Sequence, residues 1–232
     1  MTADTRPGTA DAGPAIADAG PAIADTGPAT ADTGPATATP EPGAAAAGIV
    51  SAADRRRDVT WEDPLVGAAL ALDLSGLDYL RGIAEGRIPV PPIAALLGLS
   101  IAHVEPGQVT FTLDIGEHLY NPIGSVHGGV FCTLLDSAMG CAVHANLNRG
   151  QAYTTLELKV NFVKPLTLDT PSVVASGQVI SLGKRVATAS GQITGPDGTL
   201  YAHATTTCLI FEPRPASGDD APTRSGGNGH GR

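Results

Sequence analysis

The chain has 232 residues, 42% of them apolar and only 16% charged, a composition too hydrophobic for a wholly unfolded protein. Its formal charge of −9 divides into −5 over residues 1–53, +1 over 213–232 and −5 over the 54–212 between them. An acidic core whose basic run, Arg55 to Arg57, is flanked by Asp54 and Asp58 excludes nucleic-acid binding, which needs a clustered basic surface.

Residues 1–53 contain a seven-residue repeat, ADAGPAI twice and then ADTGPAT twice, with Gly-Pro in every copy and no aromatic or Leu to build a core. The segment reads as a disordered Ala/Asp/Gly/Pro spacer arm, without the basic and apolar regions of a secretory leader. The tail 213–232 reads as disordered by the same composition. No stretch supplies the roughly 20 apolar residues of a membrane-spanning helix. The three cysteines, Cys132, Cys141 and Cys208, are an odd number without metal spacing, as expected of reduced thiols in the cytoplasm.

Between the tails, residues 54–97 read as a helical N-terminal cover: leucines at 70, 74, 77 and 80 have helical spacing, broken at Gly76, and a short helical turn runs from Ile93 to Leu97 after Pro91-Pro92. Trp61 is expected to cover the core. Residues 98–212 carry the main domain. Val109, Phe111, Leu113 and Ile115 alternate with polar residues, the period of a half-buried strand. Gly128 to about Leu147 is apolar on nearly every face and reads as a central buried helix. Four strand-like stretches follow, at 153–163, 172–182, 185–194 and 199–211. Leu182-Gly183-Lys184 and Gly195-Pro196-Asp197-Gly198 are tight-turn signals, so these strands are expected to meander antiparallel. One long helix on one antiparallel sheet is an α+β domain.

Within the helix, Asp136 stands alone as a formal charge between Glu117 and Arg149, and a carboxylate on an apolar face is costly unless something compensates it. It is the candidate base or nucleophile; the competing reading is an Asp bonded to the backbone or to Thr133. His127-Gly128-Gly129 opens the helix, where unpaired N–H groups and glycines without side chains let an oxygen approach, as in an oxyanion hole. Gly128 and Asp136 are about 12 Å apart along the axis, too far to reach one carbonyl. Either the substrate lies along the helix, or Gly128 of one subunit faces Asp136 of its twofold mate. His144, at the other helix end, suits that terminus electrostatically.

From Asn121 to Pro165 the sequence NPIGSVHGGVFCTLLDSAMGCAVHANLNRGQAYTTLELKVNFVKP resembles the hotdog-fold thioesterases of the phenylacetic-acid-degradation (PaaI) type, most specifically in HGG followed by Asp nine residues after the His. The resemblance implies a hotdog fold, an antiparallel sheet wrapped around the central helix. It also implies a homodimer or dimer of dimers, and hydrolysis of acyl-coenzyme A with coenzyme A as part of the substrate and no further cofactor or metal. Asp136 would then activate water or attack the thioester while the Gly128 N–H polarises its carbonyl, with Gly129 beside it. Asn121 would help hold the carbonyl or water, its alternative being a turn residue before Pro122. His127 is expected to orient the loop rather than act as the base. Thr155 would position the water, and Thr154 is its neighbour; strand alternation admits one of the two. Lys184 and Arg185 offer a coenzyme A phosphate a basic pair, or else form a solvated hairpin end.

Two other readings remain. The hydratase branch of the fold needs a close Asp and His, and the nearest pair, Asp114 and His118, lies at a strand end without the matching pattern. A non-catalytic acyl-CoA sensor would bind coenzyme A esters without turnover.

Overall fold

The computed structural model describes residues 55–213, so the arm 1–53 and the tail from residue 214 lie outside the described residues. In chain order the elements are α1 (Pro64–Asp73), α2 (Gly76–Ala84), α3 (Pro92–Leu97), β1 (Leu99–Glu105), β2 (Gln108–Asp114), α4 (Gly128–His144), β3 (Ala152–Phe162), β4 (Ser172–Leu182), β5 (Val186–Thr194) and β6 (Leu200–Phe211). All pairings are antiparallel and the strand order is β1-β2-β4-β5-β6-β3. The hotdog arrangement expected from the resemblance is present: α4 packs against every strand of the sheet.

Helix α4 is the axis of the core because it is apolar on most sides, and Leu134, Leu135, Ala138, Met139, Ala142 and Val143 are almost wholly buried. The sheet face beneath it is lined by small residues, Ala175, Ala187, Ala189, Ala202 and Ala204, which lets helix and sheet approach closely. Gly177 on β4 is the limiting case: a Cβ there would collide with the Ala138 carbonyl. Burying such a surface at roughly 25 cal/mol per Å² is the main drive for the fold.

The expected elements hold with small shifts, and three expectations are corrected. The helical cover breaks at Leu74, one residue before Ser75, whose hydroxyl caps α2 by accepting from the Asp78 N–H at 3.2 Å. Trp61 precedes α1 and is 60% exposed, so it does not cover the core. The turn signals join β4, β5 and β6 as a meander, but β3 pairs with β6 at the sheet edge, because the chain leaving α4 crosses to the far side. Strand β1, which sequence periodicity missed, carries a register shift between Ile101 and His103 that spoils its alternation. Among the described residues no helix is long and apolar enough to cross a membrane, and no cluster of His, Cys, Asp or Glu could hold a metal ion.

Candidate active site

Helix α4 begins with His127 as its N-cap, and the ring Nδ1 accepts the Gly129 N–H at 2.8 Å. That bond requires the ring proton to sit on Nε2. It also occupies the Gly129 donor and leaves the Gly128 N–H, at the first helical position, among those that no intrahelical carbonyl can serve. Gly128 faces the Phe162 ring at the end of β3, where an added Cβ would touch it at 3.4 Å, and Phe162 packs edge-on against Phe131 with centroids 5.5 Å apart. Gly128, Phe162 and Lys164 share a cleft of about 310 Å³. Lys164 is a basic neighbour that sequence reasoning missed, although the Lys164-Pro165 step just past a strand was its visible signal.

Two turns on, half-buried Asp136 accepts a hydrogen bond from Thr155 Oγ1 at 2.8 Å. The Thr133 alternative fails, since that hydroxyl donates back to the Gly129 carbonyl at 2.9 Å. No described Lys, Arg or His lies within ion-pair distance of Asp136. The choice between Thr154 and Thr155 also resolves: Thr154 is exposed, whereas Thr155 turns toward the helix.

The cause is a bulge. The β3–β6 ladder runs Thr155↔Cys208 and then Glu157↔Thr207, leaving Leu156 unpaired. Inward positions are therefore 153 and 155 before the bulge and 158 and 160 after it. Buried Thr206 secures the irregularity by donating its hydroxyl to the Glu157 carbonyl at 2.7 Å.

The remaining candidates fall elsewhere. The Asn121 side chain bonds within its own turn, with one of its two Nδ2 donors used: Oδ1 accepts from the Ile123 and Ser125 N–H groups at 3.0 and 3.3 Å, and Nδ2 donates to Ser125 Oγ at 3.1 Å. Lys184 and Arg185 are exposed at the β4–β5 hairpin. There Val186 pairs with Leu209 and Leu209 with Thr154, while Phe162 pairs with Ala202 seven residues away, about 23 Å along the ladder. Within one chain this basic pair sits at the Asp136 end of the sheet, remote from Gly128.

Beyond Asp136 the helix turns toward a second space. Burial, with Asp136 adding to it, pushes the Cys141 thiol up to about 12, and burial likewise raises the Tyr153 hydroxyl well above the ordinary tyrosine range. Neither group is a nucleophile near neutral pH. Gly140 makes room for Tyr153, whose hydroxyl oxygen would lie 2.5 Å from an added Cβ. His144 is buried, and desolvation lowers its basicity, so it is a neutral ring rather than the cation expected to complement the helix terminus.

A family model described as the thioesterase superfamily matches residues 123–202. A Halobacterium salinarum protein provisionally named an esterase is 30% identical over 133 residues, which cover 86% of that protein and 55% of this chain. The chain belongs to the thioesterase superfamily. Human acyl-coenzyme A thioesterase 13 is similar to it at 26% identity over 116 residues, covering 81% of the human protein and 50% of this chain. A crystal structure from Ralstonia eutropha, of a protein provisionally named a thioesterase and phenylacetic acid degradation-related, superposes with a TM-score of 0.52 at 29% identity, covering 98% of that chain and 56% of this one. The matched span of this superfamily member contains α4, β3 and all of Gly128, Asp136 and Thr155.

Proposed function

We propose that the chain hydrolyses acyl-coenzyme A thioesters to a free acid and coenzyme A, as a member of the phenylacetic-acid-degradation branch of its superfamily. The observation that carries the reading is the carboxylate of Asp136 held on a half-buried helix face by a hydroxyl, Thr155, with no Lys, Arg or His among the described residues within ion-pair distance. A structural ion pair would have satisfied the charge; a hydroxyl holds the carboxylate in one orientation and leaves lone pairs available to a water or an acyl carbon. The Gly128 N–H, reinforced by the helix dipole, meets the negative charge that develops on the thioester oxygen. His127 acts by fixing the first turn, so that the Gly128 N–H points outward. The name of the human relative supports coenzyme A as the thiol half, which enters as part of the substrate and needs no separate cofactor.

The site is completed by a second copy. Strand β3 is a sheet edge, and an unpaired edge carrying exposed Leu156 and Phe162 favours pairing with a twin. Antiparallel pairing of two β3 edges sets the Phe162 end of one beside the Thr154 end of the other, so Gly128 of one copy meets Asp136 of its mate. Lys164 beside Gly128 and the partner subunit's Lys184 and Arg185 then flank one site with the positive charge that coenzyme A phosphates require. Two such dimers pairing would give the dimer of dimers.

The test is release of free thiol from short, medium, long and aromatic acyl-CoA esters, by the wild type and by Asp136→Asn. The variant is expected to lose about 100- to 10,000-fold in kcat while sedimenting as the same oligomer. Turnover like that of the wild type in the variant overturns the assignment, and binding of the esters without any thiol release puts the non-catalytic sensor in its place.

A further inference from the structure

Among the described residues two polar side chains are buried, His144 and Thr206. Thr206 is 2% exposed and stands in the inward row of β6, Ala202, Ala204, Thr206, Cys208 and Ile210, which is otherwise without a hydroxyl. Its neighbours across the two ladders are Leu158 of β3 and Ala189 of β5. A valine has the same shape and would bring no hydroxyl into that apolar wall, so packing alone does not account for a threonine. What the hydroxyl adds is one bond, donated to the Glu157 carbonyl at 2.7 Å.

Glu157 is where the β3–β6 ladder resumes after Leu156 is skipped. It is held from both faces of the sheet: its carbonyl takes the Thr206 hydroxyl on the inner side, and its carboxylate accepts from Thr207 Oγ1 at 3.3 Å on the outer side.

Two registers compete for the strand before this point. Beyond the bulge Leu158 pairs with Thr206 and Val160 with Ala204. Continued without a skipped residue, the same ladder would set Leu156 against Cys208 and Thr154 against Ile210, both facing inward, and would turn Thr155 and Tyr153 to the outer face. That regular register would bury Leu156, which the bulge leaves 59% exposed. Two contacts oppose it. Tyr153 fills the space left by Gly140 and anchors the strand ahead of the bulge, while the Thr206 hydroxyl acts at the bulge itself.

We propose that Thr206 is a positioning residue for the hydrolysis: it holds Glu157, keeps Leu156 out of the ladder and so keeps the Thr155 hydroxyl on Asp136. Thr206 has no hydrogen bond to Asp136, and its effect reaches the carboxylate through Thr155 alone. That role presupposes the hydrolase reading above; the placing of Thr155 by Thr206 does not.

The experiment is a double-mutant cycle in the full chain, measured on the best acyl-CoA. Thr206→Val is expected to lower kcat about tenfold with KM within about a factor of two, and Thr206→Ser, which keeps the hydroxyl, to stay within about threefold of the wild type. Added to Thr155→Val, Thr206→Val should cost no more than about twofold further, because a residue acting through another adds nothing once that other is gone. Wild-type kcat in Thr206→Val, an equal loss in Thr206→Val and Thr206→Ser, or losses that multiply in the double variant overturn the proposal. If Thr206→Val does not fold, Thr206→Ser against Thr206→Ala, which differ by the hydroxyl oxygen, makes the same comparison; if these do not fold either, Thr206 serves the fold alone and the proposal fails. A second readout needs no turnover: the nuclear Overhauser contact between the Thr155 methyl group and the Asp136 side chain in methyl-labelled protein. It should persist in Thr206→Ser and be lost in Thr206→Val, and a contact unchanged in Thr206→Val overturns the proposal. If no thioester is cleaved at all, the hydrolase reading fails by itself and this contact still decides whether Thr206 places Thr155.

Discussion

The two ends of α4 each carry a histidine, and the two have opposite fates. His127 is exposed, and its ring is spent on the Gly129 N–H, so the helix start presents one backbone donor in a shallow cleft beside Lys164. His144 is buried under the cover with both nitrogens unpaired and without contact with solvent, beside a space lined mostly by apolar residues. One end is thus built to meet charge and the other to meet hydrocarbon, with Asp136 between them. The contrast teaches that a histidine's place at a helix terminus says little about its chemistry; what packs over it decides.

The sharpest way to break this contrast is to delete the donor at the first end without touching the fold. Gly128 occupies the first helical position, where proline is tolerated, and His127 before it already has the extended backbone, φ −62° and ψ 136°, that a following proline demands. Gly128→Pro is therefore expected to keep the helix and the oligomeric state of the wild type and lose about 100- to 1,000-fold in kcat, measured on the best acyl-CoA, as for loss of one oxyanion donor. Unchanged turnover would move the oxyanion site elsewhere. A smaller effect, roughly tenfold to a hundredfold in kcat, is expected for Thr155→Val, which removes a hydrogen bond to a charged group while keeping the shape. Thr154→Val, on the exposed side of the same strand, should leave turnover within a factor of two or so. If the two threonine variants behave alike, the hydrogen bond to Asp136 has no part in the reaction.

Much of this contrast was legible in the residues. A long apolar run with one Asp inside and HGG at its head marks helix, carboxylate and donor together, and the alternation of Val109 to Leu113 marks its strand. What escaped are features made by tertiary contact. Periodicity cannot show that Leu156 is skipped in the ladder, so Thr154 and Thr155 stay equivalent until Thr206 is seen holding the Glu157 carbonyl. Nor can it show that β3 crosses to β6, which is what makes β3 an edge and moves Lys184 and Arg185 away from Gly128. His144 was misread for the same reason. Nothing around it in the chain announces that Gly76, at the head of α2, comes so close that a Cβ would collide with the His144 carbonyl and seal the helix end from water.

The smallest expected effect isolates that sealed end. Desolvation lowers the basicity of His144 in the folded chain below the ordinary histidine value of 6.5, so the unfolded chain binds the proton first. Stability from this group is therefore whole above about pH 6.5 and declines as the pH falls toward the depressed folded value, with a slope no steeper than about 1.4 kcal/mol per pH unit for one proton. The groups packed around the ring do not titrate in this window, because burial raises Tyr79, Tyr153 and Cys141 instead. His118, also lowered by desolvation and by Arg57, contributes a separate background slope. Denaturant unfolding of the wild type and of His144→Phe between pH 5 and pH 8 should thus give two curves that diverge as the pH falls, the variant being the flatter. Parallel curves would mean that His144 takes up its proton as readily in the folded chain as in the unfolded one, and the division of α4 into a charged end and an apolar end would fail at its second half.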